Sequence, residues 1–455
     1  MTPRVDSLSR QVQAYLTGAL SPVAVLEALL SAIQSDTAGI NAFCWLDADH
    51  ALQQAQASAA RYRAGRPLGP LDGVPVSVKD LVAVQGWPTR RGSQTSAEDP
   101  VAAVDAPSVA LMRQAGCVVF GKTTTTEFGW TIGSVNPHSG VTRNPRSLTH
   151  SAGGSSSGAA AQIAAGWGRV ALGSDAGGSV RIPASWCGVV GFKPTFGAIP
   201  LAPQSAFAEF AHLGLLAASV ADCAWAFPAL SGAHRLDPSS LYGRAQATLP
   251  GQCLRIGWAD QMDANDVVDP EINAAFRALV HRLEAAGYAV QPVTLCADGL
   301  ADAMWQTWVS RIHESFIDWP LAQRLRLDPR LQGVFGLGAG QCAEDLVRSR
   351  SFLRHYATRL AMIFNDIDIL LTPATSRVAP QLDARVPATP QAENWFSANS
   401  FAFPFNLTQQ PALSMPLGVN AQGLPFGVQV VGRRYADEHV LRFAAELELC
   451  LLQHA

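Results

Sequence analysis

Two runs of serine and glycine and one lysine carry the residue types from which a nucleophilic site can be built. Residues 173–183 read GSDAGGSVRIP, residues 151–161 read SAGGSSSGAAA, and Lys79 sits in VPVSVKD. Consecutive glycines such as Gly177 and Gly178 let several backbone N–H groups converge on one point, as stabilising an oxyanion requires, and Ser179 follows at once. A serine needs a base to become a useful nucleophile. His150 is the one histidine close to either run, and a lone histidine is more often structural than catalytic. Lys79 is the alternative, because apolar, strand-like flanks would bury its ammonium, and burial can bring a lysine from about 10.4 down towards neutrality. Simpler readings stand beside these: Gly177-Gly178 as a turn, Ser179 as a helix cap, and Lys79 paired with Asp80 or turned to solvent.

The first run admits four readings. A phosphate cradle needs G-x-x-x-x-G-K-[ST], and neither the lysine nor the hydroxyl follows these glycines. A dinucleotide fingerprint needs G-x-G-x-x-G after a strand, and RNPRSLTH ahead of the run is no strand pattern. Gly154-Ser155-Ser156-Ser157-Gly158 does match the nucleophile elbow G-x-S-x-G with Ser156 at its centre, but an elbow needs a buried strand to deliver the serine. The fourth reading is a serine-capped helix over GAAAQIAA, stopped by Gly166. One hydroxyl suffices as a cap, so the excess of serines at a helix start, where negative charge is favoured, stays unexplained by capping.

The surrounding sequence supplies elements able to position such groups. Helical spacing dominates a preface over about residues 1–65, with Ser21-Pro22 opening one helix. From about residue 66 to 235, β-rich runs (VPVSVKD, CVVFGKT) alternate with helical stretches (SVALMRQAG), the rhythm of an α/β core. LRIGWA and AVQPV read as strands around a helix from Asp269-Pro270-Glu271 to about Ala286. Residues 298–358 read as a helical insertion, and about 359–455 as returning core, with strands in DIDILLTPA and GLPFGVQVVG and a closing helix DEHVLRFAAELELCLL.

The 455 residues are 48% hydrophobic and 15% charged, with 33 basic and 36 acidic side chains dispersed to a net charge of −3. That composition predicts a globular protein and argues against nucleic-acid or membrane partners. Eight cysteines without a CxxC pair suggest neither zinc site nor disulfide framework, and no stretch reads as a signal peptide or membrane span, so a cytoplasmic protein is expected.

Taken together, VPVSVKD, SAGGSSSGAAA and GSDAGGSVRIPASWCGVVGFKPTFG resemble the amidase signature family of serine amide hydrolases. Their order matches, with Ser155 and Ser179 24 positions apart and Lys79 100 positions ahead of Ser179. DIDILLTPA, FNLTQQPALSMPLG and GLPFGVQVVG extend the likeness over most of the chain. The resemblance implies a single α/β/α domain around a large mixed β-sheet, with Ser179 as the acylated nucleophile. It also implies that Ser155, after a cis peptide from Gly154, relays a proton between Ser179 and a neutral Lys79. Ala176, Gly177 and Gly178, with the Ser179 N–H, would form the oxyanion hole, and Asp175 and Arg181 would hold the loops. No metal or organic cofactor is implied, and a homodimer is allowed for.

Aromatics in TTEFGWTIG and elsewhere suggest an apolar pocket, with Phe128, Trp130 and Gly154 as substrate contacts. Phe207, Phe210, Trp305, Trp308, Trp319, Trp395, Phe401 and Phe403 are further candidates, each of which can equally be core. The expected substrates are small, largely uncharged aryl or alkyl amides, extending to carbamates or anilides. Three other readings compete. A glutaminase component of a tRNA-amidating complex would carry adjacent arginines where Leu331-Gln332-Gly333-Val334-Phe335-Gly336 stands. A hydrolase of charged ureido or carboxylated amides needs charge in the pocket. An α/β-hydrolase would use Ser156, and the presence of Lys79, Ser155 and Ser179 together argues against a mere scaffold.

Overall fold

A computed structural model describes residues 7–240, 254–263, 266–382 and 394–452. The expected preface begins, and the closing segment ends, in residues outside these. Along the chain, helices α1 (Leu8–Leu16) and α2 (Pro22–Gln34) lead to strand β1 (Phe43–Leu46), α3 (Ala48–Arg63), β2 (Pro75–Lys79), α4 (Pro107–Gln114) and β3 (Val118–Thr123). Two small hairpins follow, β4 (Val135–Asn136) with β5 (Gly140–Val141) and β6 (Arg143–Asn144) with β7 (Ser147–Ser151). Next come α5 (Ser157–Ala164), β8 (Val170–Asp175), α6 (Arg181–Cys187), β9 (Val190–Lys193), β10 (His212–Ala217) and α7 (Val220–Leu230). Then β11 (Arg255–Trp258), α8 (Pro270–Ala285) and β12 (Ala289–Pro292) precede α9 (Leu300–Phe316), α10 (Leu321–Arg324), α11 (Pro329–Ala339) and α12 (Ala343–Ile363). The chain returns through β13 (Ile369–Pro373), α13 (Trp395–Ala398), α14 (Pro404–Leu407), β14 (Ala412–Val419), β15 (Pro425–Gly432) and α15 (Asp437–Leu452).

Eleven strands make one mixed sheet in the order β1-β3-β2-β8-β10-β9-β14-β15-β13-β11-β12. Strand β2 runs parallel to both β3 and β8, so Lys79 and the Ser174-Asp175 pair finish at the same end of the sheet. Such carboxyl ends are where open α/β sheets place their ligands. Period-two alternation decides the layering. Val76, Val78, Val170, Leu172, Leu213 and Leu215 enter one apolar cluster with α1, α4, α7, α8 and α15. Ala171 and Leu216 face the opposite cluster, formed with α2, α3, α5 and α6. The same alternation leaves Ser77 and Lys79 on the α5/α6 face. A third cluster joins the helical insertion to the sheet end, where Phe207 stacks on Trp308 at 3.7 Å and the Trp308 Nε1–H donates to the Trp130 carbonyl at 3.1 Å.

Two elements depart from the expected texture. Phe43–Leu46, inside the helical preface, is a strand pairing antiparallel with β3 at the sheet edge. RNPRSLTH, which lacks a strand pattern, forms the β6–β7 hairpin, largely unburied because it belongs to no layer of the sheet. Its strand therefore does not deliver the serine run from the core. Among the described residues no helix is long and apolar enough to cross a membrane.

Candidate active site

Lys79 ends β2 with no exposed surface, and its Nζ lies against four oxygens. These are Ser155 Oγ at 2.7 Å, Ser156 Oγ at 2.9 Å, Ser174 Oγ at 3.0 Å and the Ser174 carbonyl at 3.3 Å. Burial pushes its ammonium well below the ordinary lysine value, against the pull of the Asp175 carboxylate. Asp80 pairs not with Lys79 but with Lys122, at 2.9 Å. The next residue along the strand points to the other face of the sheet.

The serine run enters α5 across a cis peptide between Gly154 and Ser155. Ser156 occupies the N-cap position, yet no side chain caps this helix. The Ser156 hydroxyl, fully buried, instead donates to the Ser174 carbonyl at 3.1 Å and accepts from Lys79. Capping thus fails as the account of these serines. The extra hydroxyls surround the lysine.

Beyond β8 the chain turns through Ala176-Gly177-Gly178 to Ser179 and α6. Asp175, wholly buried, fixes this turn by accepting the N–H of Gly178 at 2.8 Å and of Val180 at 3.1 Å. Arg181 answers it with Nε–H at 3.0 Å and Nη2–H at 2.9 Å, and itself reaches the Ala402 carbonyl, Gln429 Oε1 and Asn406 Oδ1. Burial would raise the Asp175 carboxyl, but the adjoining guanidinium, helped by Lys193 and Asn406, holds it well below the carboxylate range. Gly178 has φ +114°, and a Cβ there would lie 2.6 Å from that of Ala402, so only glycine suits the turn. The N–H groups of Ala176, Gly177 and Ser179 have no hydrogen-bond partner among the described residues, whereas that of Gly178 is engaged by Asp175. An anion at this turn would therefore meet three of the four expected donors.

Ser155 and Ser179 line the same cavity of about 540 Å³, together with Ser174, Asp175 and Ala176. No hydrogen bond joins their two hydroxyls among the described residues. Ser156 is absent from the cavity wall. Phe128 and Trp130 line it, and Gly154 does not. A Cβ on Gly154 would meet the Gly133 carbonyl at 2.0 Å, so packing alone requires glycine here. Of the other aromatics, Phe207 and Trp319 reach the cavity, while Phe210, Trp305, Trp308, Trp395, Phe401 and Phe403 are core. The insertion contributes Phe316, which meets Phe128 at 5.1 Å and Trp319 at 4.8 Å between ring centres, edge to face.

Behind this wall Glu127 ties the insertion down. It accepts from Ser93 Oγ at 2.6 Å and from the Asp328 N–H at 2.8 Å, and burial raises its carboxyl to about 7. Residues that sequence reasoning passed over are Ser174 around the lysine, Asn406 and Gln429 around Arg181, and Arg91 and Asp99 on the cavity wall. Ser174 stands in a run already singled out for its chemistry. For the others the local sequence carries no signal.

Comparison with known proteins agrees with this geometry. The Amidase family model matches residues 24–441. An acylamidase of Rhodococcus erythropolis is 33% identical over 448 residues, covering 94% of this chain and 92% of that protein. A component of the glutamyl-tRNA(Gln) amidotransferase of Symbiobacterium thermophilum is 30% identical over 477 residues, covering 96% of this chain and 95% of that protein. Among solved structures, a 6-aminohexanoate cyclic dimer hydrolase complexed with substrate superposes with TM-score 0.87 at 29% identity, over 98% of each chain. A bacterial aryl acylamidase of the amidase signature enzymes does so with TM-score 0.87 at 26% identity, over 98% of this chain and 96% of that one.

Proposed function

The chain belongs to the amidase signature family and is an amide hydrolase acting on C–N bonds, and on that premise we propose that it cleaves small, uncharged aryl or alkyl amides through an acyl-enzyme on Ser179. The observation that carries the substrate class is the charge on the cavity wall. Its only ionisable side chains among the described residues are Arg91, Asp99 and Asp175, and each has an opposite partner: Arg91 with Asp99 at 2.7 Å, Asp175 with Arg181 at 2.9 Å. Glutamine brings both a carboxylate and an ammonium and would find no unpaired charge for either. An anilide or alkyl amide asks only for apolar surface, which Phe128, Trp130, Phe207 and Phe316 provide.

Hydrogen-bond accounting supports the direction of proton flow. A neutral amine has two N–H donors and one lone pair. The Ser156 hydroxyl hydrogen is engaged by the Ser174 carbonyl, so Ser156 Oγ can only accept from Lys79. The second N–H goes to Ser174, whose carbonyl can only accept. The lone pair then faces two hydroxyls, Ser155 at 2.7 Å and Ser174 at 3.0 Å, and is assigned to the nearer, so that Ser155 donates to Lys79 and is free to take a proton from Ser179. Ser179 Oγ then attacks the amide carbon as its proton moves through Ser155 to Lys79. The oxyanion falls to the free N–H groups of Ala176, Gly177 and Ser179. Collapse breaks the C–N bond while the lysine proton returns through Ser155 to the departing amine, and water repeats the sequence on the Ser179 ester.

A fluorophosphonate tests this without a choice of substrate. Peptide mass spectrometry should place the adduct on Ser179, and Lys79→Ala should slow labelling by about 10²–10⁴-fold, the usual worth of a general base. An adduct on Ser156 that ignores Lys79 would overturn the assignment. A panel in which glutamine or ureido acids turn over and anilides do not would overturn the substrate class.

A further inference from the structure

Among the described residues, Asp99 and Arg91 form the one ion pair on the cavity wall that is also open to solvent, their side chains being 42% and 40% exposed. We propose that Asp99 is a specificity-determining residue: by occupying Arg91 it withholds the one guanidinium that the described cavity wall could offer a carboxylate on the substrate, and so keeps the enzyme on uncharged amides. This rests on the uncharged-amide reading above and deepens it.

The pair is placed for substrate and not for folding. Its loop is secured by the neighbouring Arg90, whose Nη1–H groups donate to the carbonyls of Ser96 and Asp99 at 2.8 and 2.6 Å. The Arg91 backbone is fixed separately, its carbonyl accepting the N–H of Phe128 at 2.8 Å, so the point from which the side chain springs keeps its place on the cavity wall whether or not Asp99 is charged. Beyond that pair, the Arg91 guanidinium has one further hydrogen bond among the described residues, to Ser96 Oγ at 3.4 Å. Asp175, the remaining acid on the wall, is committed to Arg181. Replacing Asp99 by asparagine would therefore turn a neutral wall into one bearing a single positive charge, with the loop held as before. Half-exposed pairs are weak, so the discrimination is modest: about five-fold is the upper end of what such a pair supplies.

The test uses matched para-nitroanilides that differ by methyl against carboxylate at the far end of the acyl chain: butanoyl with succinyl, pentanoyl with glutaryl, hexanoyl with adipoyl. The quantity read is the ratio of kcat/KM for the carboxylate over its uncharged partner. In Asp99→Asn this ratio should rise about five-fold for at least one chain length. It should fall back when Arg91→Ala is added, and the gain should shrink with added salt. If Asp99→Asn hydrolyses the uncharged member and the ratio stays at the wild-type value at every length, the inference is wrong while the uncharged-amide reading stands. A rise that survives Arg91→Ala also overturns it. If the wild type prefers the carboxylates outright, the uncharged-amide reading fails and takes this inference with it.

Discussion

Replacing Ser156 by alanine removes a hydroxyl that never meets the cavity yet fixes how Lys79 uses its hydrogens. In the native site Ser156 Oγ takes one lysine N–H at 2.9 Å and, more weakly, the Ser174 N–H at 3.3 Å, while donating to the Ser174 carbonyl. Without it, the lysine N–H loses its nearest committed acceptor in a wholly buried place and is left to share Ser174 or to swing towards Ser155, where it competes with the proton Ser155 should be donating. A buried donor stripped of its acceptor costs about 1–3 kcal/mol, which in a rate is about 5- to 150-fold. Ser156→Ala should therefore label Ser179 with fluorophosphonate more slowly by that factor, with the adduct unmoved, and stay faster than Lys79→Ala. Stopped-time labelling followed by peptide mapping measures both rate and position. Labelling of Ser156→Ala at the wild-type rate would refute the accounting. Complete loss, with the wild-type adduct on Ser156 itself, would refute the lysine-driven site and restore the elbow.

Two further outcomes follow from the buried charges. In the proposed mechanism Lys79 reacts in its neutral form, and burial lowers its proton affinity, so kcat/KM for an uncharged anilide should fall as pH drops through a value below the ordinary lysine figure of about 10.4 and be flat above it. A pH–rate profile whose acid limb sits at that ordinary figure would count against a lysine base. Arg181→Met leaves the Asp175 carboxylate buried without its cation, a change of about 3–5 kcal/mol. Urea unfolding should register a loss of that size, partly recovered by adding Asp175→Asn, and a loss under about 1 kcal/mol would mean the pair contributes little.

The sequence was most legible where burial and chemistry are local. Pro75–Lys79 and Val118–Thr123 read as strands because both faces of each are covered, which favours the valines and the phenylalanine they carry. The Asp269-Pro270 start of α8 was equally plain, since Asp269 caps the Glu271 N–H. Phe43–Leu46 was hidden because four residues between two helices show no period of their own, and the edge position asks little of them. His212–Ala217, buried throughout in the middle of the sheet, contains a glycine and too few alternating polar residues to stand out. At the site, Lys79, Ser155 and Ser179 were visible as motif positions. The partners of Arg181 were not, because Ala402, Asn406 and Gln429 are brought in from 221, 225 and 248 positions away, and nothing in the run around Arg181 announces them.

That separation has a bearing on the order in which a ribosome delivers the parts. Lys79, Ser155 and Ser179 leave the exit tunnel long before Ala402 and Gln429, and strands β14 and β15 insert between β9 and β13 in the middle of the sheet. A nascent chain therefore carries all three proposed reacting groups well ahead of the residues that hold the Ser179 turn in place. Non-local pairings of this kind form late. The turn that carries Ser179 is thus held by residues that cannot reach it until the chain has been made through Gln429, the same stretch that supplies the middle strands of the sheet.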